Sequence, residues 1–192
     1  MKKTMTRKEK VLRTALQMVA TGGFQGAPIA ELAAKSKVAV GTIYHHFANK
    51  EEMVAAMYLL CKENLSESLN KAADGKNNTQ KKFEKLWDAY LDHAAKNAVE
   101  FSFLEQYKSS PLITPAVQKS AEKFDSPIST FVTEGLKAKD LKKVESVVLA
   151  EFFNSNVSAA AKLQASKSKK KFSGKDLVSL RDMAWSAMKS KG

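Results

Sequence analysis

The stretch from Leu32 to Met53 constrains the fold of this chain more than any other part of the sequence. It predicts the second half of a helix-turn-helix motif, in which one short helix closes at Ser36 and a turn follows at Lys37-Val38. The second helix of the motif is expected over Val40–Phe47. Ile43 lies one helical turn before its end, so that Ile43 and the final phenylalanine should face inward together.

The outer side of this second helix carries side chains that suit DNA. Thr42, Tyr44, His45 and His46 can form hydrogen bonds with base edges or phosphates, and no carboxylate stands among them to repel DNA. We therefore expect this side of the helix to meet the major groove and its backbone.

A longer helix is predicted directly after the motif. Asn49 and Glu52 have the spacing of a capping box, which marks a helix N-terminus. Lys50 sits in the first turn, where exposed N–H groups and the helix dipole favour an anion such as phosphate. This connecting helix should run over about residues 50–73, ending before the helix-breaking segment Asp74–Asn78.

These residues resemble the DNA-binding domain of TetR-family transcriptional regulators. The resemblance covers roughly residues 6–55 and rests on Glu31-Leu32-Ala33, on Val38–Phe47 (VAVGTIYHHF) and on Asn49–Met53 (NKEEM). One position departs from the family pattern, because Lys37 stands where the turn usually has glycine. This lysine must either adopt a left-handed backbone or reshape the turn. With the resemblance, the candidate DNA-binding residues are Lys37, Val40, Gly41, Thr42, Tyr44, His45, His46 and Lys50, with Gly41 permitting close approach of the helix to DNA.

The fold class expected from the sequence is all-α, because glycine and proline are scarce, at 8 and 4 residues. We expect an N-terminal three-helix helix-turn-helix DNA-binding domain over residues 1–50. The resemblance implies a C-terminal helical ligand-binding and dimerisation domain over residues 51–192. We call residues 1–50 the head and residues 51–192 the body. The resemblance also implies that the connecting helix transmits ligand-dependent motion to the head. The same residues would also suit a helix that only tethers the two.

The net charge of +12 is unevenly distributed along the chain. Residues 1–50 have nine Lys or Arg against two Glu, whereas residues 51–161 have 14 Lys against 16 acids. A basic head on a nearly neutral body suggests that the head meets a polyanion. The Lys-rich tract at 166–171 is better explained as a solvated loop.

The first helix of the head is predicted over Arg7–Thr21, opened by a capping box of Thr6 and Glu9. Lys2 and Lys3 in the preceding arm, together with Arg7, are candidate phosphate or minor-groove contacts. Phe24 is expected to plug the small core of the head from a loop. Pro28 should then launch the first helix of the motif from its first helical position.

The body is predicted to contain a ligand cavity lined by aromatic side chains spaced along its helices. A largely apolar cavity with few polar groups suits a small hydrophobic molecule. The same stripes are also typical of plain core, and the sequence leaves both interpretations open. The candidate residues are Trp87, Tyr90, Phe101, Leu104, Tyr107, Phe124, Phe131 and Phe152, with His93, Gln106 and Asn154 as the polar groups.

Helices are expected over Thr79–Asn97, Val99–Tyr107, about residues 115–136 with an interruption at Asp125–Pro127, Val144–Leu163 and Lys175–Lys189. The resemblance implies that the last two form a four-helix dimer core with a second copy. Small residues near Phe152 and an apolar face on the final helix fit that role. The apolar positions on the final helix are Leu177, Leu180, Ala184, Ala187 and Met188. A monomer would use them as internal core.

The sequence gives little support for an enzyme, a metal-binding protein or a membrane-spanning protein. His45 and His46 diverge on a helix and cannot chelate one metal, and no phosphate loop, HExxH or GxSxG motif occurs. The single Cys61 fits a reducing cytoplasm, and no run of 18 apolar residues could span a membrane. No enzyme, metal or cofactor is therefore expected.

The sequence predicts a cytoplasmic, homodimeric regulator that binds a double-stranded DNA operator. It should be a repressor that a small hydrophobic effector releases. The alternative is a helical adaptor that binds protein partners through its body and whose head no longer recognises DNA.

Overall fold

The computed structural model of the protein describes residues 5–22, 28–75, 77–166 and 172–190. These parts of the chain contain ten α-helices and one short 3₁₀ helix, joined by loops. The α-helices are α1 (Arg7–Gly22), α2 (Ile29–Ser36), α3 (Val40–His46), α4 (Lys50–Ala73), α5 (Thr79–Lys96), α6 (Ala98–Tyr107), α7 (Pro115–Ala121), α8 (Ser126–Lys137), α9 (Ser146–Ala165) and α10 (Gly174–Met188). The all-α prediction is confirmed.

The chain divides into two compact units. The first comprises residues 1–62 with 99–121, and the second comprises residues 63–98 with 122–192. Packing thus groups α6 and α7 with the N-terminal helices. The functional division expected at residue 50 stays a prediction.

Helices α1, α2 and α3 of the first unit pack against one another around a small apolar core. This core includes Val11, Leu16, Leu32, Ile43 and Phe47, all of them buried. Burying large side chains from three short helices compensates for their low individual stability. The three-helix head predicted from the motif is present.

Side-chain caps fix where the helices of the first unit begin. Glu9 accepts a hydrogen bond from the Thr6 N–H at 2.7 Å, and Thr6 Oγ1 accepts one from the Glu9 N–H at 3.1 Å, so the predicted capping box forms. At the start of α4, Asn49 Oδ1 accepts from the Glu52 N–H at 2.8 Å. The Glu52 carboxylate bonds the N–H of Ala48, at 2.7 Å, which is one residue earlier than a standard capping box uses.

The second unit is built around an aromatic cluster on α5, α8 and α9. Phe153 of α9 lies with its ring centroid 5.5 Å from that of Phe83 and 6.0 Å from that of Trp87, both on α5. Phe131 of α8 completes the cluster at 6.1 Å from Phe153. Such edge and tilted contacts stabilise a core beyond the area they bury.

A close approach at Gly135 holds the end of α8 against the loop that follows. A Cβ at this position would lie 2.6 Å from Leu141 Cδ1 and 2.9 Å from Thr79 Cγ2, so these side chains would have to shift to admit a larger residue. The loop is anchored further by an antiparallel bridge between Leu141 and Lys189, just after α10.

Several helix bounds differ slightly from the predictions. Pro28 is the N-cap of α2, with an extended backbone, and not its first helical residue. Between α7 and α8 the chain forms a 3₁₀ turn at Glu122–Asp125, which is how the interruption before Pro127 is accommodated. α9 begins at Ser146, two residues later than expected. The expectations for Lys2, Lys3, Phe24 and the lysines at 167–171 lie outside the described residues.

Candidate nucleic-acid interface

The turn of the helix-turn-helix closes with a lysine in the left-handed conformation. Lys37 has φ 54° and ψ 39°, a region that lysine seldom occupies. Its N–H donates to the Ala34 carbonyl at 3.3 Å, and the Val38 N–H donates to the Ala33 carbonyl at 3.2 Å. These bonds satisfy the carbonyls at the end of α2, as a glycine cap would. Of the two alternatives for this turn, the lysine tolerates the left-handed backbone.

Helix α3 has one buried and one open side. Ile43 and Phe47 are buried, as the spacing predicts, whereas Tyr44 is 55% exposed. His45 is also exposed, and Thr42 and His46 are half-buried. The residues predicted to meet DNA therefore lie outside the core of the head.

The N-terminal turn of α3 leaves room for another molecule to approach its backbone. Gly41 is exposed, and a Cβ added there would meet nothing within 4 Å. Val40 beside it is also exposed. A surface can come close to the helix here without displacing protein atoms.

An open groove of about 600 Å³ runs between the start of α1 and the outer side of α3. Its lining residues are Thr6, Arg7, Lys8, Gly41, Thr42, His45 and His46. Arg7 and Lys8 bring positive charge, while Thr6, Thr42 and the imidazoles bring hydrogen-bonding groups. This set is suited to a phosphate oxygen. We refer to it as the α1–α3 groove.

Sequence reasoning missed part of this groove. Arg7 was a candidate contact, but Thr6 and Lys8 were assigned no role in binding. Only the packing of α1 against α3 brings these residues beside the histidines. The signal in the sequence was the basic start of α1 directly after its capping box.

Lys37 and Lys50, both exposed, flank α3 along the chain. Lys50 is the first residue of α4, where Asn49 and Glu52 already accept two of the backbone N–H groups near the helix start. The ammonium group of Lys50, rather than the bare helix end, is therefore the group that can meet a phosphate.

Comparison with known proteins agrees with this geometry. A model of the bacterial regulatory proteins of the tetR family matches residues 11–57, which include α2, the turn and α3. This match identifies the helix-turn-helix segment as a tetR-family domain. The resemblance drawn from the motif is confirmed.

Solved structures share the fold along nearly the whole chain. A candidate tetR family transcription regulator from Shewanella sp. PV-4 is 23% identical, with a TM-score of 0.87 over 97% of this chain and 100% of that one. A TetR family transcription regulator from Marinobacter aquaeolei VT8 is 16% identical, with a TM-score of 0.84 over 96% of each chain. The fatty acid degradation regulator FadR from Bacillus halodurans is 16% identical, with a TM-score of 0.75 over 96% of this chain and 95% of that one. The regulator fold thus extends well beyond the matched head.

The first unit of the protein also contains a buried carboxylate. Glu100 of α6 lies with Oε1 3.6 Å from Arg13 Nη1 of α1, and its side chain is 10% exposed. Burial raises the pKa of the Cys61 thiol on α4, and the negative charge of Glu100 raises it further while Arg13 opposes the rise. A charged contact therefore links α1 to α6.

The residues predicted to line an effector cavity fall into both units. Phe101, Leu104 and Tyr107 belong to the first, where the Tyr107 ring stacks on Phe103 at 4.4 Å and burial raises the pKa of its hydroxyl. The six others belong to the second unit: Trp87, Tyr90, His93, Phe124, Phe131 and Phe152.

Within the second unit, Trp87 and Phe131 join the aromatic cluster and Tyr90 is also buried. His93 is buried, with Nδ1 2.9 Å from Ser68 Oγ. Phe124 is half-buried on the 3₁₀ turn, under the Lys123 ammonium at 4.8 Å.

Two of the residues predicted to line the cavity lie on the exposed surface. Phe152 is exposed on the outer side of α9, and its neighbour Phe153 is the ring that enters the aromatic cluster. The two adjacent rings point to different sides of the helix, so only one can be inside. Gln106 is likewise exposed on α6 and is not a buried polar group.

The last two helices expose large apolar side chains in the single chain. On and beside α9 these are Val147, Val148 and Phe152, and on α10 they are Val178 and Met183. Ala184 and Met188, which were expected on the dimer face, are instead buried within the unit. On α10 the exposed large apolar residues are therefore Val178 and Met183, which were not predicted for the dimer face.

The described residues lack two kinds of feature. None of their helices is long and apolar enough to cross a membrane. They contain no group of three or more His, Cys, Asp or Glu side chains arranged to hold a metal ion.

Proposed function

We propose that this TetR-family chain is a repressor that binds its operator as a homodimer and is released by a small, largely apolar effector. In this proposal residues 1–50 form the DNA-binding domain and residues 51–192 bind the effector and dimerise. The protein acts in the cytoplasm, where its operator DNA lies. The single observation that carries the DNA-binding part is the exposed outer side of α3, with Tyr44 at its centre.

The geometry of the head supports a specific set of DNA contacts. Thr42, Tyr44, His45 and His46 meet base edges and backbone in the major groove, with Val40 and Gly41 at the closest approach. Lys37, Lys50 and the α1–α3 groove hold phosphates on either side of this helix. Phosphate contacts contribute most of the affinity and make it depend on salt.

A gel shift with the DNA flanking the gene of this protein tests the DNA-binding part. Tyr44→Ala should weaken binding strongly without lowering the melting temperature, because the side chain lies outside the core. Tyr44→Phe separates the hydroxyl from the ring. An alanine variant that melts normally and binds DNA like the wild type contradicts the placement of α3 in the groove.

A matched pair of lysines tests the α1–α3 groove. Lys8 lines it, while Lys10 is exposed on the same helix outside the set of lining residues. Lys8→Ala should lower the slope of log K against log salt by about 0.9, the value for one phosphate contact. Lys10→Ala should leave the slope unchanged. Equal slopes for both variants contradict the assignment of the groove to a phosphate.

Dimerisation is supported by the exposed apolar residues of α9 and α10. A protein seldom leaves several large apolar side chains in contact with water on neighbouring helices unless another surface covers them. Val148→Glu should therefore yield a monomer in sedimentation analysis. Val40→Glu, at another exposed valine, should stay dimeric and lose operator binding. If both variants are dimeric, the surface of α9 is not the interface.

Two observations support the proposal that an apolar effector binds the body. The second unit has an aromatic core, and the chain is similar in fold to a regulator of fatty acid degradation. Both favour a molecule with an extended apolar portion. Native mass spectrometry of the purified protein, followed by gel shifts with any molecule that co-purifies, tests it. If the protein binds no DNA but binds defined protein partners, it is instead a helical protein–protein adaptor.

A further inference from the structure

The aromatic core of the second unit contains an indole N–H that no described residue accepts. Trp87 is almost completely buried on α5, between the rings of Phe83 at 5.6 Å and Phe153 at 6.0 Å. Its Nε1 has no hydrogen-bond partner among the residues that the structure describes. An indole N–H can only donate, so what it lacks is an acceptor.

A second buried polar atom in the same situation lies on α9, the helix that packs on α5. Ser158 is buried, and its Oγ has no partner within the described parts of the chain. A helical hydroxyl usually satisfies itself by donating to the carbonyl four residues earlier, as Thr14, Ser68 and Ser120 do here. The hydroxyl of Ser158 does not.

Buried donors in native proteins are almost always satisfied by protein, ordered water or a ligand. Two such atoms on one pair of packed helices, one of them lying among phenylalanine rings, therefore indicate where a ligand brings its polar end. Since the tryptophan can only donate, that end must contain an acceptor.

The charge of the acceptor follows from what surrounds it. The neighbours of Trp87 are phenylalanine rings. No described lysine or arginine is among the buried residues, and Arg181, whose Nε is shielded from water, already pairs its guanidinium with Asp88 and Asp182. An ionised carboxylate in such surroundings would lose its hydration without gaining a counter-charge. A neutral oxygen, as in a ketone or an ester, needs only the hydrogen bond.

We infer that the effector is an apolar molecule with a neutral carbonyl oxygen, which accepts a hydrogen bond from Trp87 Nε1–H. Ser158 is the second donor for its polar end. This inference rests on the proposed effector function of the body and adds the chemistry of the polar group.

Titration calorimetry of the full-length protein with 2-undecanone, n-undecane and decanoate tests the inference. The ketone should bind at least tenfold more tightly than the alkane, and decanoate no more tightly than the alkane. Trp87→Phe should weaken ketone binding about tenfold, which corresponds to about 1.4 kcal/mol, and should leave alkane binding unchanged. Ser158→Ala should weaken ketone binding severalfold. Trp185→Phe is the matched control, because Trp185 also packs on Phe83, at 5.3 Å, but its Nε1 is not among the buried atoms without a partner in the described residues. This variant should bind like the wild type.

A spectroscopic measurement guards against a Trp87→Phe variant that folds poorly. In the Trp185→Phe protein only Trp87 fluoresces, and a hydrogen bond from its N–H shifts the emission to longer wavelength. The ketone should produce this shift and the alkane should not. Equal shifts with both probes, unchanged ketone affinity in Trp87→Phe, tighter binding of decanoate than of the ketone, or no ketone binding up to its solubility each overturn the inference.

The outcomes also separate this inference from the proposed function. Gel shifts without any added probe test DNA binding alone. Ketone binding that depends on Trp87 but does not release DNA supports the hydrogen bond and contradicts the effector role of the ketone.

Discussion

Breaking the ion pair between Arg13 and Glu100 should destabilise the first unit far more than the long distance between the two charged groups suggests. The charged atoms are 3.6 Å apart, which is longer than in many surface pairs, but the Glu100 side chain is only 10% exposed. Arg13→Met keeps the apolar stem and removes the charge. The buried carboxylate then loses its nearby cation while its burial is unchanged.

The magnitude follows from Coulomb's law. Two unit charges at this distance interact by about 4–5 kcal/mol at an effective dielectric constant of about 20 and by about 1 kcal/mol in water. Arg13 is about half exposed, so solvent screens the pair and a value of roughly 1–3 kcal/mol is expected. Glu100→Gln should cost less than Arg13→Met, because a neutral amide is cheaper to bury than an ion.

Urea unfolding of a double-mutant cycle measures this coupling. The wild type, both single variants and the double variant are compared at one protomer concentration, since a dimer's stability depends on concentration. The expected coupling free energy is about 1–2 kcal/mol. Lys96→Met is the control, because Lys96 and Asp92 lie closer, at 2.8 Å, yet both are exposed. Its cost should stay below about 0.5 kcal/mol. Additivity of the two single variants within about 0.3 kcal/mol would refute the reasoning.

Three glycine-related changes give further tests by urea unfolding and gel shift. Gly135→Ala should destabilise the protein by roughly 1–3 kcal/mol, because its Cβ would overlap Leu141, and an unchanged midpoint would contradict that clash. Lys37→Gly should stabilise it by about 0.5–1 kcal/mol, because glycine adopts φ 54° without strain, and a lower stability would show that the lysine is not strained. Gly41→Ala should leave stability equal or raise it by up to about 1 kcal/mol, since the Cβ has open space, while operator affinity falls. Unaltered affinity would mean that the α3 backbone does not come close to DNA.

The head could be predicted in detail because its signals are local. The capping box of Thr6 and Glu9, the inward spacing of Ile43 and Phe47 and the position of the turn all depend on residues within a few positions of one another. Local hydrogen bonds and helical periodicity determine such features whatever the rest of the chain does.

The α1–α3 groove and the buried carboxylate of Glu100 could not be predicted in this way. Lys8 and His45 are far apart in sequence, and only the packing of two helices brings them to one groove. Glutamate is usually found at the surface of a protein, and the contact of Glu100 with Arg13 depends on how α6 packs near α1. Long-range packing decides both, and helical periodicity contains no information about it.

Helix α9 shows why the sequence also failed to choose between two adjacent phenylalanines. Leu149, Phe153 and Val157 lie on its buried side, while Val148 and Phe152 lie on its exposed side. Both sides are apolar, so periodicity cannot tell which faces the core. A helix that is apolar all round is normally buried all round, yet one side of α9 meets water in the single chain. The proposed dimer would explain the ambiguity, since a second copy that covers the outer side of α9 would complete the burial of its apolar residues.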